Sequence, residues 1–75
     1  MPSKYPTCKP DEVRKALERA GFQKIKQTGS HLKMSNGIKT VIVPMHQNKD
    51  LKTGTLKGIL EQAGMSVDDF LAYLK

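Results

Sequence analysis

The chain is poor in cysteine, in aromatic side chains and in long apolar segments. Its 75 residues include one cysteine, no tryptophan, two tyrosines and two phenylalanines. A single cysteine excludes an internal disulfide bond and is typical of proteins from a reducing compartment. No apolar run approaches the ~20 residues of a transmembrane helix, and the first six residues lack the apolar segment of a secretory signal. These absences predict a cytoplasmic protein without a membrane partner.

The chain is too short for a second domain or a deep ligand pocket. A chain of this size buries only roughly 60% of the surface that it exposes when unfolded, so its core is small. We therefore expect one domain over residues 1–75 and no organic cofactor. Cys8, His31 and His46 lack the spacing of metal ligands, and they are too few for a zinc site. The sequence thus predicts neither a metal nor a small-molecule cofactor.

Acidic side chains are scarce in the middle of the chain. The formal net charge is +6, and residues 22–58 contain seven lysines with Asp50 as their single acidic residue. The flanking parts contribute +2 over residues 1–21 and −2 over residues 59–75. Clustered positive charge is typical of a surface that binds a polyanion. This distribution favours nucleic acid or an acidic protein as the partner, with lysines that serve only solubility as the plainer alternative.

Apolar spacing and turn residues predict the element order α-β-β-β-α. Pro10 fits the first position of a helix, and apolar residues at helical spacing continue to Gly21, a typical helix stop. Asn36-Gly37 is a strong hairpin signal between β-favouring runs, and Thr28-Gly29 is a weaker one. Ser66 begins a capping-box pattern. The predicted elements are a helix at 10–20, three strands within 22–44, a helix ending at Ala63 and a short last helix after Ser66.

Counting back from the two turns predicts which residues share a face of the sheet. If each turn has a two-residue loop, Lys26 lies opposite His31, and His31 lies opposite Ile42. One face is then apolar and should receive the helices, whereas the other is basic and open. A slip of one residue would exchange the faces. The predicted rows are Lys26, His31, Ile42 and Lys24, Lys33, Thr40 on the open face, and Ile25, Leu32, Val41 on the apolar face.

His31 is the candidate catalytic residue, because an imidazole changes its protonation near neutral pH. A neutral imidazole can take the proton of an RNA 2′-hydroxyl while that oxygen attacks the adjacent phosphate, and such general base catalysis contributes typically about 10²–10⁴-fold. Lys26 or Lys33 would stabilise the charge that develops on the phosphoryl oxygens. The expected products are a 2′,3′-cyclic phosphate and a 5′-hydroxyl. The alternative is a surface histidine without a role.

Further polar residues have more than one possible role. His46 follows the third strand and is either the general acid of a histidine pair or a structural residue of the loop. Lys52 and Lys57 flank the start of the second helix, whose free N–H groups favour phosphate binding. An ordinary helix start with solvated lysines is the plainer alternative. Lys24 completes the set of lysines predicted to hold RNA phosphates.

Short motifs follow one another in a fixed order between Val13 and Phe70. The motifs are Ala20-Gly21-Phe22, Gly29-Ser30-His31, Val43-Pro44-x-His46, Leu51-x-x-Gly54-Thr55-Leu56, Ile59-Leu60 and Ala63-Gly64-Met65-Ser66. In this order and at these distances they resemble the HicA-type toxins, which are the small ribonuclease halves of type II toxin–antitoxin pairs.

The resemblance implies an α+β fold like that of double-stranded-RNA-binding domains, with a three-stranded antiparallel sheet, helices on one face and a short C-terminal helix. It also implies a metal-independent endoribonuclease that cleaves mRNA with a single histidine and is inhibited by a HicB-type antitoxin. The catalytic histidine of the Gly-Ser-His motif falls on His31, and Gly29 and Ser30 belong to that motif. Two alternatives stay open: a non-catalytic RNA-binding module of the same fold, and a protein-interaction domain whose lysines match an acidic partner.

Overall fold

The structure, a computed structural model, describes residues 5–45 and 49–74. Its elements follow the predicted order, with a sheet of three antiparallel strands in the order β1-β2-β3. Within the described ranges, no helix is both long enough and apolar enough to cross a membrane. The elements are α1 (Pro10–Arg19), β1 (Gln23–Thr28), β2 (His31–Ser35), β3 (Thr40–Pro44), α2 (Thr53–Ala63) and α3 (Val67–Leu74).

Local signals set the ends of the helices as predicted. Pro10 is the first residue of α1, where its missing N–H costs no hydrogen bond. Gly21 has a φ of 101°, a conformation that suits glycine, and there the chain leaves α1 towards β1. The hydroxyl of Ser66 accepts a hydrogen bond of 3.1 Å from the backbone N–H of Asp69, as expected of the residue that caps α3.

One face of the sheet packs against the helices and forms the core. Leu32 and Met34 of β2 and Val41 and Val43 of β3 are at most 1% exposed, and the residues between them are exposed. This alternation puts every second side chain of β2 and β3 into the core. The helices supply the other half of the core, chiefly Val13, Leu17, Leu56, Ile59, Leu60 and Phe70. The predicted fold class, with helices on one face, is therefore confirmed.

The turn between β2 and β3 is longer than predicted, so the predicted register of this hairpin is wrong. Ser35 lies opposite Thr40 rather than Ile38, because the loop contains residues 36–39. Asn36 accounts for the extra length: its side-chain oxygen accepts hydrogen bonds from the N–H groups of Ile38 (2.9 Å) and Lys39 (2.7 Å). An asparagine that bonds the backbone ahead of it favours such a turn.

The register between β1 and β2 is also different from the prediction. Thr28 lies opposite His31, and Gly29 and Ser30 form the two-residue loop. Further along, the register shifts between Lys24 and Lys26, which marks a β-bulge around Ile25. Ile25 is 58% exposed, so its predicted place in the core is wrong. The reason is that the helices do not cover β1, whose six residues are all exposed.

Where the ladder is regular, the side chains lie on the predicted faces even though the predicted register is wrong. Each hairpin is displaced by two residues, and a displacement of two keeps a side chain on its own face. The predicted row Lys26, His31, Ile42 is replaced by two rows. These are Thr28, His31, Pro44 and Lys26, Lys33, Ile42.

Candidate nucleic-acid interface

The side of the sheet away from the helices forms an open face, made of Lys26, Thr28, His31, Lys33, Thr40 and Ile42. All six side chains are exposed, and none is acidic. His31 is the first residue of β2 and precedes buried Leu32, so alternation along the strand turns the imidazole towards solvent. The prediction that His31 projects from the uncovered side of the sheet is confirmed.

Two lysines lie near His31 on the open face. Lys33 is two residues further along β2, and Lys26 lies opposite Lys33 on β1. His31 and Lys26 are therefore diagonal neighbours across the hairpin, at a separation of roughly 7–8 Å, within reach of a long side chain. The predicted direct opposition of Lys26 and His31 is wrong, but the arrangement still places His31, Lys26 and Lys33 on one face of the sheet. Such a cluster suits a phosphodiester, whose charge the lysines would neutralise.

Ile42 completes the row of Lys26 and Lys33 at the opposite edge of the open face. It is 40% exposed, and its side chain shares a face with Lys33 directly opposite. Its backbone N–H donates a hydrogen bond of 3.2 Å to the side-chain oxygen of Gln62 in α2. The outer side of β3 is therefore tied to α2. An exposed isoleucine beside lysines gives the open face an apolar spot for a base or for a partner side chain.

A groove of about 990 Å³ lies at the end of the sheet where β1 turns into β2. The loop residues Gly29 and Ser30 line one side, and Lys52 and Thr55 at the start of α2 line another. Pro44, the cross-strand neighbour of His31, lines it too. The groove therefore adjoins the His31 end of the open face, and the fold brings Lys52 to that end.

Gly29 and Ser30, which directly precede His31, each have a structural role in the loop. Gly29 has a φ of 57°, in the left-handed region that other residues enter at a cost. The backbone oxygen of Ser30 accepts a hydrogen bond from the N–H of Met45, which fastens the end of β3 to the loop. The two residues thus fix the point at which β2 begins, and with it the position of His31.

Three of the other predicted residues lie away from the His31 cluster or cannot be placed. Lys24 lies opposite Met34, a residue of the core face, so the bulge removes it from the predicted row with Lys33 and Thr40. Lys57 is exposed on α2 and is not among the described residues that line the groove. His46 lies outside the described residues.

Sequence reasoning missed two charged residues of the groove, Lys49 and Asp50. The sequence marks Asp50 only as the single acidic residue of a basic stretch. The adjoining backbone N–H of Leu51 donates a hydrogen bond of 2.9 Å to the carbonyl oxygen of Cys8, which holds this segment against the chain before α1. No local pattern signals that contact, because it joins segments more than forty residues apart.

Cys8 is unsuited to nucleophilic chemistry. Its side chain is 2% exposed, and burial together with the nearby Glu12 and Asp50 carboxylates raises the pKa of its thiol to about 11. The thiolate is the reactive form, and it is scarce at neutral pH when the pKa is this high. Among the described residues, no three His, Cys, Asp or Glu side chains are grouped closely enough to hold a metal ion.

The fold and the open face together define a small α+β domain with a basic, uncovered sheet surface. The family model described as "HicA toxin of bacterial toxin-antitoxin" matches residues 10–65, which is most of the chain. The chain therefore belongs to the HicA toxin family, whose members act as toxins with an antitoxin partner. No protein with a curated description matches the chain.

Proposed function

We propose that this chain is a metal-independent endoribonuclease that cleaves mRNA, with His31 as the catalytic base. The observation that carries the proposal is the position of His31, exposed at the start of β2 with Lys33 and Lys26 on the same face. Membership of a family of toxins that are generally ribonucleases supports it. The open face is also unobstructed by the helices, so an RNA strand has access to the imidazole.

The chemistry uses the nucleophile that RNA itself carries. Neutral His31 accepts the proton of a 2′-hydroxyl, the 2′-oxygen attacks the adjacent phosphorus, and the bond to the 5′-oxygen of the next nucleotide breaks. The departing 5′-oxygen takes a proton from water, and the protonated His31 gives its proton to the hydroxide that remains, which leaves a 5′-hydroxyl, a 2′,3′-cyclic phosphate and neutral His31. Lys26 and Lys33 stabilise the negative charge that grows on the phosphoryl oxygens.

The groove offers the RNA a second contact beyond the reacting phosphate. Lys52 stands at the start of α2, where free backbone N–H groups and the helix dipole favour an anion. Since Pro44 borders both the groove and the row of His31, a phosphate held by Lys52 would belong to a neighbouring nucleotide. Phosphate contacts by Lys24 and Lys57, and a catalytic role of His46, remain predictions.

A HicB-type antitoxin would silence the enzyme by covering the open face. The family implies an antitoxin partner, and the lysines around His31 favour an acidic one. Bound there, such a protein would exclude RNA from His31 by occupying the same surface. This type of inhibition needs no change in the toxin's shape.

The test compares His31→Ala with the parent chain in RNA cleavage and in RNA binding. An enzyme of this kind loses cleavage by about 10²–10⁴-fold while its RNA affinity changes little, because the lysines remain. The matched control is Thr40→Ala, which alters the same face without touching the cluster. If the parent chain binds RNA but cuts none, the chain is a non-catalytic RNA-binding module. If it neither cuts nor binds RNA, its lysines serve a protein partner.

A further inference from the structure

β1 differs from the other two strands in being exposed along its whole length. All six residues from Gln23 to Thr28 are exposed, whereas β2 and β3 each bury every second residue. The strand order β1-β2-β3 places β1 at one edge of the sheet. Half of the backbone groups of such an edge strand point away from the sheet and can pair with another strand.

The opposite edge, β3, is occupied from within the chain. The N–H of Ile42 donates to the side chain of Gln62, and Pro44 has no N–H to offer. Helix α2 packs against this strand. Of the two edges, β1 is therefore the one available to an added strand.

The bulge in β1 gives this edge two side chains, Lys24 and Ile25, in addition to the RNA-facing Lys26. Lys24 pairs with Met34 of the core face, and Ile25 is the extra residue that follows it. Lys24 therefore turns away from the open face, where Lys26 and Lys33 lie, whereas Ile25 has no direct partner on β2. Ile25 is 58% exposed because the helices do not cover β1.

We propose that β1 is a docking edge for an acidic β-strand of the antitoxin, which adds to the sheet as a fourth strand. Its backbone would extend the ladder, its carboxylates would pair with Lys24 and Lys26, and an apolar side chain would cover Ile25. The inference depends on the antitoxin partner that the family implies and not on RNA cleavage.

Charge and hydrogen bonding together indicate which kind of molecule binds along the β1 edge. Two copies of this chain joined through β1 would bring Lys24 and Lys26 against the same lysines, and a bulge with lysines is a common protection of an edge against such pairing. RNA could neutralise the lysines and set a base against Ile25, but it cannot continue a backbone ladder. An acidic protein strand satisfies all three requirements.

The first test adds a short synthetic peptide, in which valine alternates with glutamate, to the folded chain and follows the backbone amides by NMR. We expect the largest shifts within Gln23–Thr28 and slower hydrogen exchange of those β1 amides that point away from β2. A peptide that alternates valine with lysine is the control and should leave β1 unchanged. Equal effects of both peptides, no binding of either, or shifts confined to the open face would overturn the proposal.

The second test uses variants in the complex with the antitoxin produced together with this chain. Ile25→Asp should weaken antitoxin binding by about tenfold or more, since it sets a carboxylate against an acidic strand. RNA cleavage by this variant should equal that of the parent, since Ile25 belongs to neither of the two rows that contain His31, Lys26 and Lys33. Ile38→Asp, which puts the same carboxylate on another exposed isoleucine in the loop between β2 and β3, is the matched control and should bind the antitoxin normally. The docking edge would be contradicted if Ile25→Asp bound the antitoxin as tightly as the parent does. It would also be contradicted if a single-stranded RNA oligonucleotide slowed the hydrogen exchange of the β1 amides and the antitoxin did not. If the antitoxin slows the hydrogen exchange of the β1 amides but the chain cuts no RNA, the docking edge is supported and only the proposed function is contradicted.

Discussion

The two faces of the sheet share the same three strands and serve different purposes. On the helix face, Leu32, Met34, Val41 and Val43 are almost entirely buried and hold the domain together. On the open face, the residues that alternate with them, His31 and Lys33 on β2 and Thr40 and Ile42 on β3, are exposed. Along such a strand, residues that stabilise the fold alternate with residues whose side chains are available for function. Substitutions on the two faces should therefore have different consequences.

The largest expected difference is in stability. Leu32→Ala removes a side chain that is 1% exposed and should lower the free energy of unfolding by about 2–5 kcal/mol. For a domain of this size that is a large share of the total. Ile42→Ala on the open face is the matched control and should cost less than about 1 kcal/mol. Urea unfolding followed by circular dichroism measures both, and equal losses would show that the faces do not differ as described.

A smaller loss of stability is expected at the loop that places His31. Gly29→Ala puts a side chain at a φ of 57°, where an alanine costs roughly 1–2 kcal/mol. Among the described residues, no atom beyond Gly29 and its two chain neighbours lies within 4 Å of the position that the new Cβ would take, so we attribute the loss to backbone strain. Gly29→Asn should recover part of it, since asparagine tolerates this conformation better. Thermal unfolding of the two variants checks the order; an alanine variant as stable as the parent would contradict it.

The lysines of the open face should affect RNA binding and leave stability almost unchanged. Each of Lys26→Ala and Lys33→Ala should reduce the slope of log affinity against log salt by about 0.7, the value for one phosphate contact on a single strand. Lys15→Ala on α1 is the control, since this lysine lies outside the open face and pairs with Asp11. Fluorescence anisotropy with a labelled RNA at several salt concentrations gives the slopes. If the parent and the three variants all gave the same slope, RNA would not bind through the lysines of the open face.

The last expected effect concerns Cys8 in the core and is confined to alkaline pH. Its pKa is raised from 9.0 to about 11 in the folded chain, so folding favours the neutral thiol. The stability that this contributes is complete below pH 9 and is lost as the pH rises towards 11. Cys8→Ala should therefore lose less stability than the parent over that interval, which urea unfolding at several pH values measures. Parallel pH profiles of the two proteins would contradict the prediction.

Element order and faces could be predicted from the sequence because they depend on local signals. Pro10, Gly21 and Ser66 mark helix ends through their own backbone chemistry, and alternation along β2 and β3 marks the buried face. Both hairpins are displaced by two residues from the prediction, an even number that leaves side chains on their faces. His31 therefore projects as predicted although its cross-strand neighbours are different.

The rest depends on contacts that no local pattern reports. The loop of residues 36–39 is held by the Asn36 side chain, and nothing about Ile38 or Lys39 distinguishes them from strand residues. The bulge at Ile25 is possible because β1 is an edge strand, a property of the finished sheet. The groove is likewise formed only when residues 49–52 pack beside the Gly29-Ser30 loop.

The most direct test of the account identifies the ends of the RNA that this chain produces in a metal-chelating buffer. Attack by the 2′-oxygen, with His31 as the base, predicts fragments that end in a 2′,3′-cyclic phosphate and begin with a 5′-hydroxyl, as mass spectrometry would detect. Substituting a 2′-deoxynucleotide at the cleaved position should abolish the cut. Fragments with a 3′-hydroxyl, or cleavage that persists at the deoxynucleotide, would contradict the central claim.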